Sequence, residues 1–83
     1  MEAEALKKAR RKVVGSKQTY RAVENGEARK VYIAEDAESK VVDPIIQRCK
    51  ENSIDWYYIS SMQELGQKCG IKVGAASAAV IEE

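Results

Sequence analysis

Eighty-three residues make a single domain, residues 1–83, with room for one small core, and 14 Lys and Arg against 13 Asp and Glu leave the chain nearly neutral. No apolar run approaches the roughly 20 residues that span a bilayer, and the start Met1-Glu2-Ala3-Glu4 is acidic where a secretory signal is basic and then apolar, so a cytoplasmic protein with no membrane partner is expected. Cys49 and Cys69 lack metal-ligand spacing and the chain has no histidine, so both thiols are read as small, partly buried apolar side chains.

Residues 2–12 are good helix formers, with acids in the first turn and bases in the last, as the helix dipole prefers. Ala5, Leu6, Ala9 and Val13 supply a narrow apolar stripe. Val13-Val14 then reads as a short strand that breaks at Gly15 and opens into a second helix over 16–24. Ser16 is expected to cap that helix through its hydroxyl, with Thr19, Ala22 and Val23 turned inward and Asn25-Gly26 closing it in a left-handed turn.

Residues 31–34 (Val-Tyr-Ile-Ala) form an expected buried central strand, which runs out into the acidic turn 35–39. Its consecutive acids have no glycine to bend the chain around an ion, which favours a solvated loop over a metal site. Asp43-Pro44 predicts the start of a third helix over 44–51, with Ile45, Ile46 and Cys49 on one side. Residues 54–59 form a second clear strand, whose Trp56, Tyr57 and Tyr58 suit core and interlayer packing better than base stacking.

Ser61 with Glu64 three residues on marks a capping box for a short fourth helix ending near Cys69-Gly70. Residues 71–74 form a loop that displays Ile71 and Val73. Residues 75–81 are small and apolar, a last strand buried on both faces with a helix packed close against its alanines, and Glu82-Glu83 end in solvent. Alternating helices and strands predict an α/β fold, a three-layer α/β/α sandwich with a small mixed sheet.

The charge is polarised. Lys7, Lys8, Arg10, Arg11, Lys12, Lys17 and Arg21 follow one another with no acid between them, which aims one surface at a polyanion. Within this stretch the helix start after Gly15 presents first-turn amides together with Lys17, Gln18 and Arg21, an arrangement that attracts phosphate oxygens. The Gln18 amide both donates and accepts, as a base edge requires, and Lys17 and Arg21 share one face of the helix.

The segments 15–21 (Gly-Ser-Lys-Gln-Thr-Tyr-Arg), 33–37 (Ile-Ala-Glu-Asp-Ala) and 64–76, taken in order, resemble the kink-turn RNA-binding ribosomal protein family of the L-seven-Ae and L-thirty-e types. The chain is similar in particular to the short bacterial YbxF-like members, over nearly its whole length. The resemblance implies the same sandwich fold, no cofactor, and a structured RNA partner, ribosomal RNA among the candidates. That partner is a helix bent at a short bulge beside sheared G·A pairs. It further implies that Lys17 and Gln18 meet the guanine edges, that Gly15, Ser16, Thr19 and Arg21 belong to the same RNA-contacting segment, and that Ile71, Lys72 and Val73 cover a base extruded from the bulge. Glu38 falls where some members place an acid near that base. Met62 stands where other members carry a basic residue, so a phosphate contact is expected to be missing there, with Lys72 as its substitute.

Two other classes of function compete. A protein-docking module on the same fold would use Trp56, Tyr57 or the apolar loop. An enzyme acting on a small-molecule substrate is disfavoured by the lack of histidine, of a nucleophile beside a base, and of a nucleotidase phosphate loop. A monomer is expected.

Overall fold

The computed structural model describes residues 2–83. Helices and strands alternate through them: α1 (Glu2–Lys8), β1 (Arg11–Val14), α2 (Ser16–Glu24), β2 (Lys30–Ala34), α3 (Ser39–Glu51), β3 (Asp55–Ile59), α4 (Met62–Cys69) and β4 (Ser77–Glu82). The strands form one mixed sheet in the order β1-β4-β2-β3. Here β4 runs antiparallel to both β1 and β2, while β2 and β3 are parallel and joined by the α3 crossover.

The strand sequences explain why helices cover both faces. Residues 31–34 of β2 and 77–80 of β4 are buried without interruption, so each face of the central pair needs an apolar cover. On one face Tyr32, Ala34, Ala78 and Val80 meet Leu6 of α1 and Leu65 and Cys69 of α4. On the other, Val31, Ile33 and Ala79 meet Ala22 and Val23 of α2 and Val42, Ile45 and Cys49 of α3. The alternation of consecutive residues between the two clusters is the period of two that a strand imposes. The three-layer sandwich is therefore as expected, and the alanines of β4 admit α2 at close range. No helix among the described residues is long and apolar enough to cross a membrane.

Three elements depart from the sequence reading. Helix α1 stops at Lys8, and residues 11–14 pair with β4 from Arg11 opposite Glu82 to Val14 opposite Ala78, so ladder bonds to the otherwise open edge of β4 override helix propensity. Helix α3 begins at Ser39 with Glu38 as its N-cap, and Pro44 lies inside it. Asp43-Pro44 is thus no helix start: burial of Val42 draws the earlier residues into the helix, although Pro44 costs it the amide that would reach Lys40. Strand β3 forms the sheet edge, and its aromatics are less buried than expected. Trp56 and Tyr57 are half-buried, whereas Tyr58 is 53% exposed, set edge-on to Trp56 with ring centres 5.1 Å apart.

Candidate nucleic-acid interface

Strand direction decides which loops meet. Because β1, β2 and β3 run one way and β4 the other, the ends of the first three and the start of the fourth share one end of the sheet. The Gly15 junction, the acidic turn 35–38, the α4 N-terminus and the loop 71–76 all lie there.

Backbone bonds fasten these segments into one surface. The Gly15 amide donates to the Ser77 carbonyl at 2.9 Å, and the Ala34 amide to Ala76 at 2.9 Å. The Ala75 amide donates to the Met62 carbonyl at 3.0 Å, while the Met62 amide donates to the Asp36 carboxylate at 2.8 Å. Asp36 thereby ties the acidic turn to the start of α4. Its partner is 26 residues away, beyond what the sequence of the turn itself can signal.

Gly15 has φ 101° and ψ 152°, a conformation open in practice only to glycine. It is the N-cap of α2, so Ser16 is the first helical residue and its expected capping bond does not form. The Ser16 hydroxyl instead lies 3.4 Å from that of Ser77, which donates to it. No side chain caps the first-turn amides, which leaves the positive end of α2 available to an anion.

Lys17, Gln18 and Arg21 are exposed around this helix start, and neither cation forms an ion pair among the described residues. Thr19 does not belong with them. It is fully buried on the inward side of α2, its hydroxyl without a hydrogen-bond partner among the described residues, so it supports the segment from within and reaches no surface ligand.

On the facing side of the surface, Val73 is 71% exposed and Lys72 is exposed. Ile71, expected to be displayed beside Val73, is half-buried against the α1 and α4 cluster and serves as the loop's anchor. Met62 is partly exposed between Asp36 and Ala75. Glu38 lies at the same end as the α3 N-cap, exposed, with its carboxylate 3.9 Å from Lys40 Nζ.

The capping box of α4 is half formed. The Ser61 hydroxyl accepts from the Glu64 amide at 3.0 Å, while the Glu64 carboxylate turns to the Ser60 hydroxyl. Both thiols are held away from ionisation by burial, Cys49 up to about 11, and Cys69 upward against an opposing influence of Lys12.

Across residues 2–83 the chain matches the model of the family described as "Ribosomal protein L7Ae/L30e/S12e/Gadd45 family". The chain belongs to this family. It is 54% identical over 69 residues to the RNA-binding protein TTE2299 of Caldanaerobacter subterraneus, covering 83% of this chain and 84% of that one. To the RNA-binding protein YbxF of Geobacillus stearothermophilus it is 37% identical over 81 residues, 98% of this chain and 99% of the other, and it is a short bacterial member of the YbxF-like kind. A solved structure titled "Giardia lamblia 15.5kD RNA binding protein" superposes with a TM-score of 0.88 at 23% identity, covering 99% of this chain and 72% of that one, and shares the fold.

Proposed function

We propose that this protein binds RNA without catalysing a reaction on it, and that it recognises a kink-turn by shape. The observation that carries the reading is the union, at one end of the sheet, of an uncapped helix start bearing Lys17, Gln18 and Arg21, unpaired among the described residues, with an apolar loop tip at Val73. Phosphates suit the helix amides and Arg21. Lys17 as a donor and Gln18 as donor and acceptor suit the edges of sheared G·A pairs. Val73 offers apolar cover to a base that has left its stack, where burial offsets the lost stacking. Family membership and the relatives' names support an RNA ligand.

The mechanism is a population shift. An RNA that samples straight and bent forms is drawn to the bent one by a protein that can make these contacts only with that shape. The protein acts in this reading as a cytoplasmic monomer, with ribosomal RNA among its targets.

The test is energy transfer between labels on the two ends of a kink-turn duplex, beside a duplex whose G·A pairs are replaced by Watson–Crick pairs. Bending and tight binding of the first alone are expected, with joint substitution Lys17→Ala and Gln18→Ala abolishing the preference. Equal weak binding to both duplexes would leave only general attraction to a polyanion. The exposed Tyr58 beside Trp56 favours a second reading, docking of a protein on the β3 edge, which a nuclease-resistant protein complex lost on Tyr58→Ser would support.

A further inference from the structure

The proposed reading surface uses only part of the basic stretch. Arg10, Arg11 and Lys12 stand at the start of β1, at the opposite end of the sheet from Gly15. None of them forms an ion pair among the described residues, and neither does Arg29, although Lys8, Lys30, Lys40, Arg48 and Lys68 all do. Arg11 faces Glu82 across the β1–β4 ladder and still makes no salt bridge with it. Cations without an ion pair among the described residues remain available to an anionic ligand.

The fold gives two of them a common site. Arg11 and Arg29 line one open groove of about 630 Å³, together with Glu27, Asn52, Ile54 and Ile81. The backbone amides of Glu27 and Arg29 there are already used, by the carbonyls of Ala22 and Val80, so the free donors are the guanidinium groups. Their planar forks fit phosphate oxygens in pairs.

Helix α2 connects this groove to the reading surface. It starts at Ser16, carries Lys17 and Arg21 outward, and after its nine residues, about 13 Å of rise, delivers Gly26 to the groove wall. The two basic sites therefore lie toward the two ends of one helix.

We propose that the Arg11 and Arg29 groove is a second phosphate-binding site, which grips the backbone of an RNA stem continuing from the kink-turn along α2. It reads no sequence. It adds affinity for long stems only, and it rests on the kink-turn reading of the first site.

The experiment compares a kink-turn RNA whose stems are trimmed close to the G·A pairs with versions in which each stem in turn is lengthened by a helical turn. The wild-type protein is expected to bind one lengthened RNA about tenfold more tightly, with a salt dependence steeper by about two in log–log slope, one for each added phosphate contact. Arg11→Gln with Arg29→Gln should erase that gain and leave binding to the trimmed RNA unchanged; thermal melts verify that the variant folds. Equal affinity and slope for all RNAs with wild-type protein would overturn this site alone, as would a double variant that weakens trimmed and lengthened RNAs alike. Failure of the wild type to prefer any of these kink-turn RNAs over their Watson–Crick controls would remove the underlying reading, and this one with it.

Discussion

Gly66 of α4 faces the backbone of Val73 so closely that a methyl group on its Cα would overlap the Val73 carbonyl oxygen and lie 3.1 Å from its carbon. The helix and the exposed loop tip are therefore held together by the absence of a side chain. Helix propensity alone would favour Gly66→Ala by about 1 kcal/mol, but the backbone of residues 73 and 74 must move to admit the methyl. Such overpacking costs about 1–3 kcal/mol. The expected outcome is a melting temperature lowered by several degrees and, on the kink-turn reading, weaker binding of kink-turn RNA, because Val73 is displaced. A higher melting temperature with unchanged binding would show that the loop is not held by this contact.

Asp36 acts on the same loop from the other side, since its carboxylate accepts from the Met62 amide while Met62 accepts from Ala75. Removal of a side-chain acceptor from a helix start costs about 0.5–2 kcal/mol, and exposure of Asp36 puts the loss toward the lower end. Asp36→Ala should lower stability by that amount and loosen the Ala75 junction, seen as faster hydrogen exchange at the Ala75 amide. Asp36→Asn retains an acceptor oxygen and should cost less than half as much. Equal losses for the two variants would mean that the charge, and not the bond, is what matters.

The sequence made the layers legible because they follow from local signals. Residues 31–34 and 78–81 are apolar over whole runs, which only a covered central strand tolerates, and Ala22, Val23, Leu65 and Cys69 recur at helical spacing. The helix-opening glycine at position 15 was equally plain. What local signals did not carry was competition between partners. Residues 11–12 are as helical by composition as those before them, and only the free edge of β4 makes them a strand. Ser16 is a good cap in isolation, but Gly15 takes that position once its amide is bound to Ser77. Thr19 carried two incompatible expectations, inward packing and RNA contact, and burial decides for the first. Ile71 and Val73 look alike in sequence, and only the path of the loop over α4 buries one and exposes the other.

The buried thiol of Cys49 gives the fold a pH dependence with a definite sign. In the unfolded chain it ionises near the ordinary value of 9.0, whereas burial holds it at about 11 in the folded protein. Between these values the unfolded state has released a proton that the folded state keeps, so stability complete below about pH 9 falls as pH rises toward 11. Denaturant unfolding at about pH 8 and about pH 10 should show a larger loss for the wild type than for Cys49→Ala. Parallel loss in both would mean that Cys49 contributes nothing to the alkaline limit.

Gly15 separates backbone strain from crowding with unusual clarity, because a methyl added there would meet no atom within 4 Å. Any effect of Gly15→Ala must then come from its φ of 101°, a conformation that costs a non-glycine residue about 1–3 kcal/mol. The chain can bear that cost as lost stability, or relax the turn and carry the start of α2 away from its bond to Ser77. The first outcome lowers the melting temperature and leaves RNA affinity intact. The second spares part of the stability but moves Lys17 and Gln18, and with them the proposed recognition of G·A pairs. The bonds that fix both sides of Gly15, its amide to Ser77 and its carbonyl from Thr19, each at 2.9 Å, oppose relaxation, so the first outcome is expected. Thermal melts paired with kink-turn titrations distinguish the two, and a variant unchanged in both would mean that the turn adopts a conformation alanine accepts.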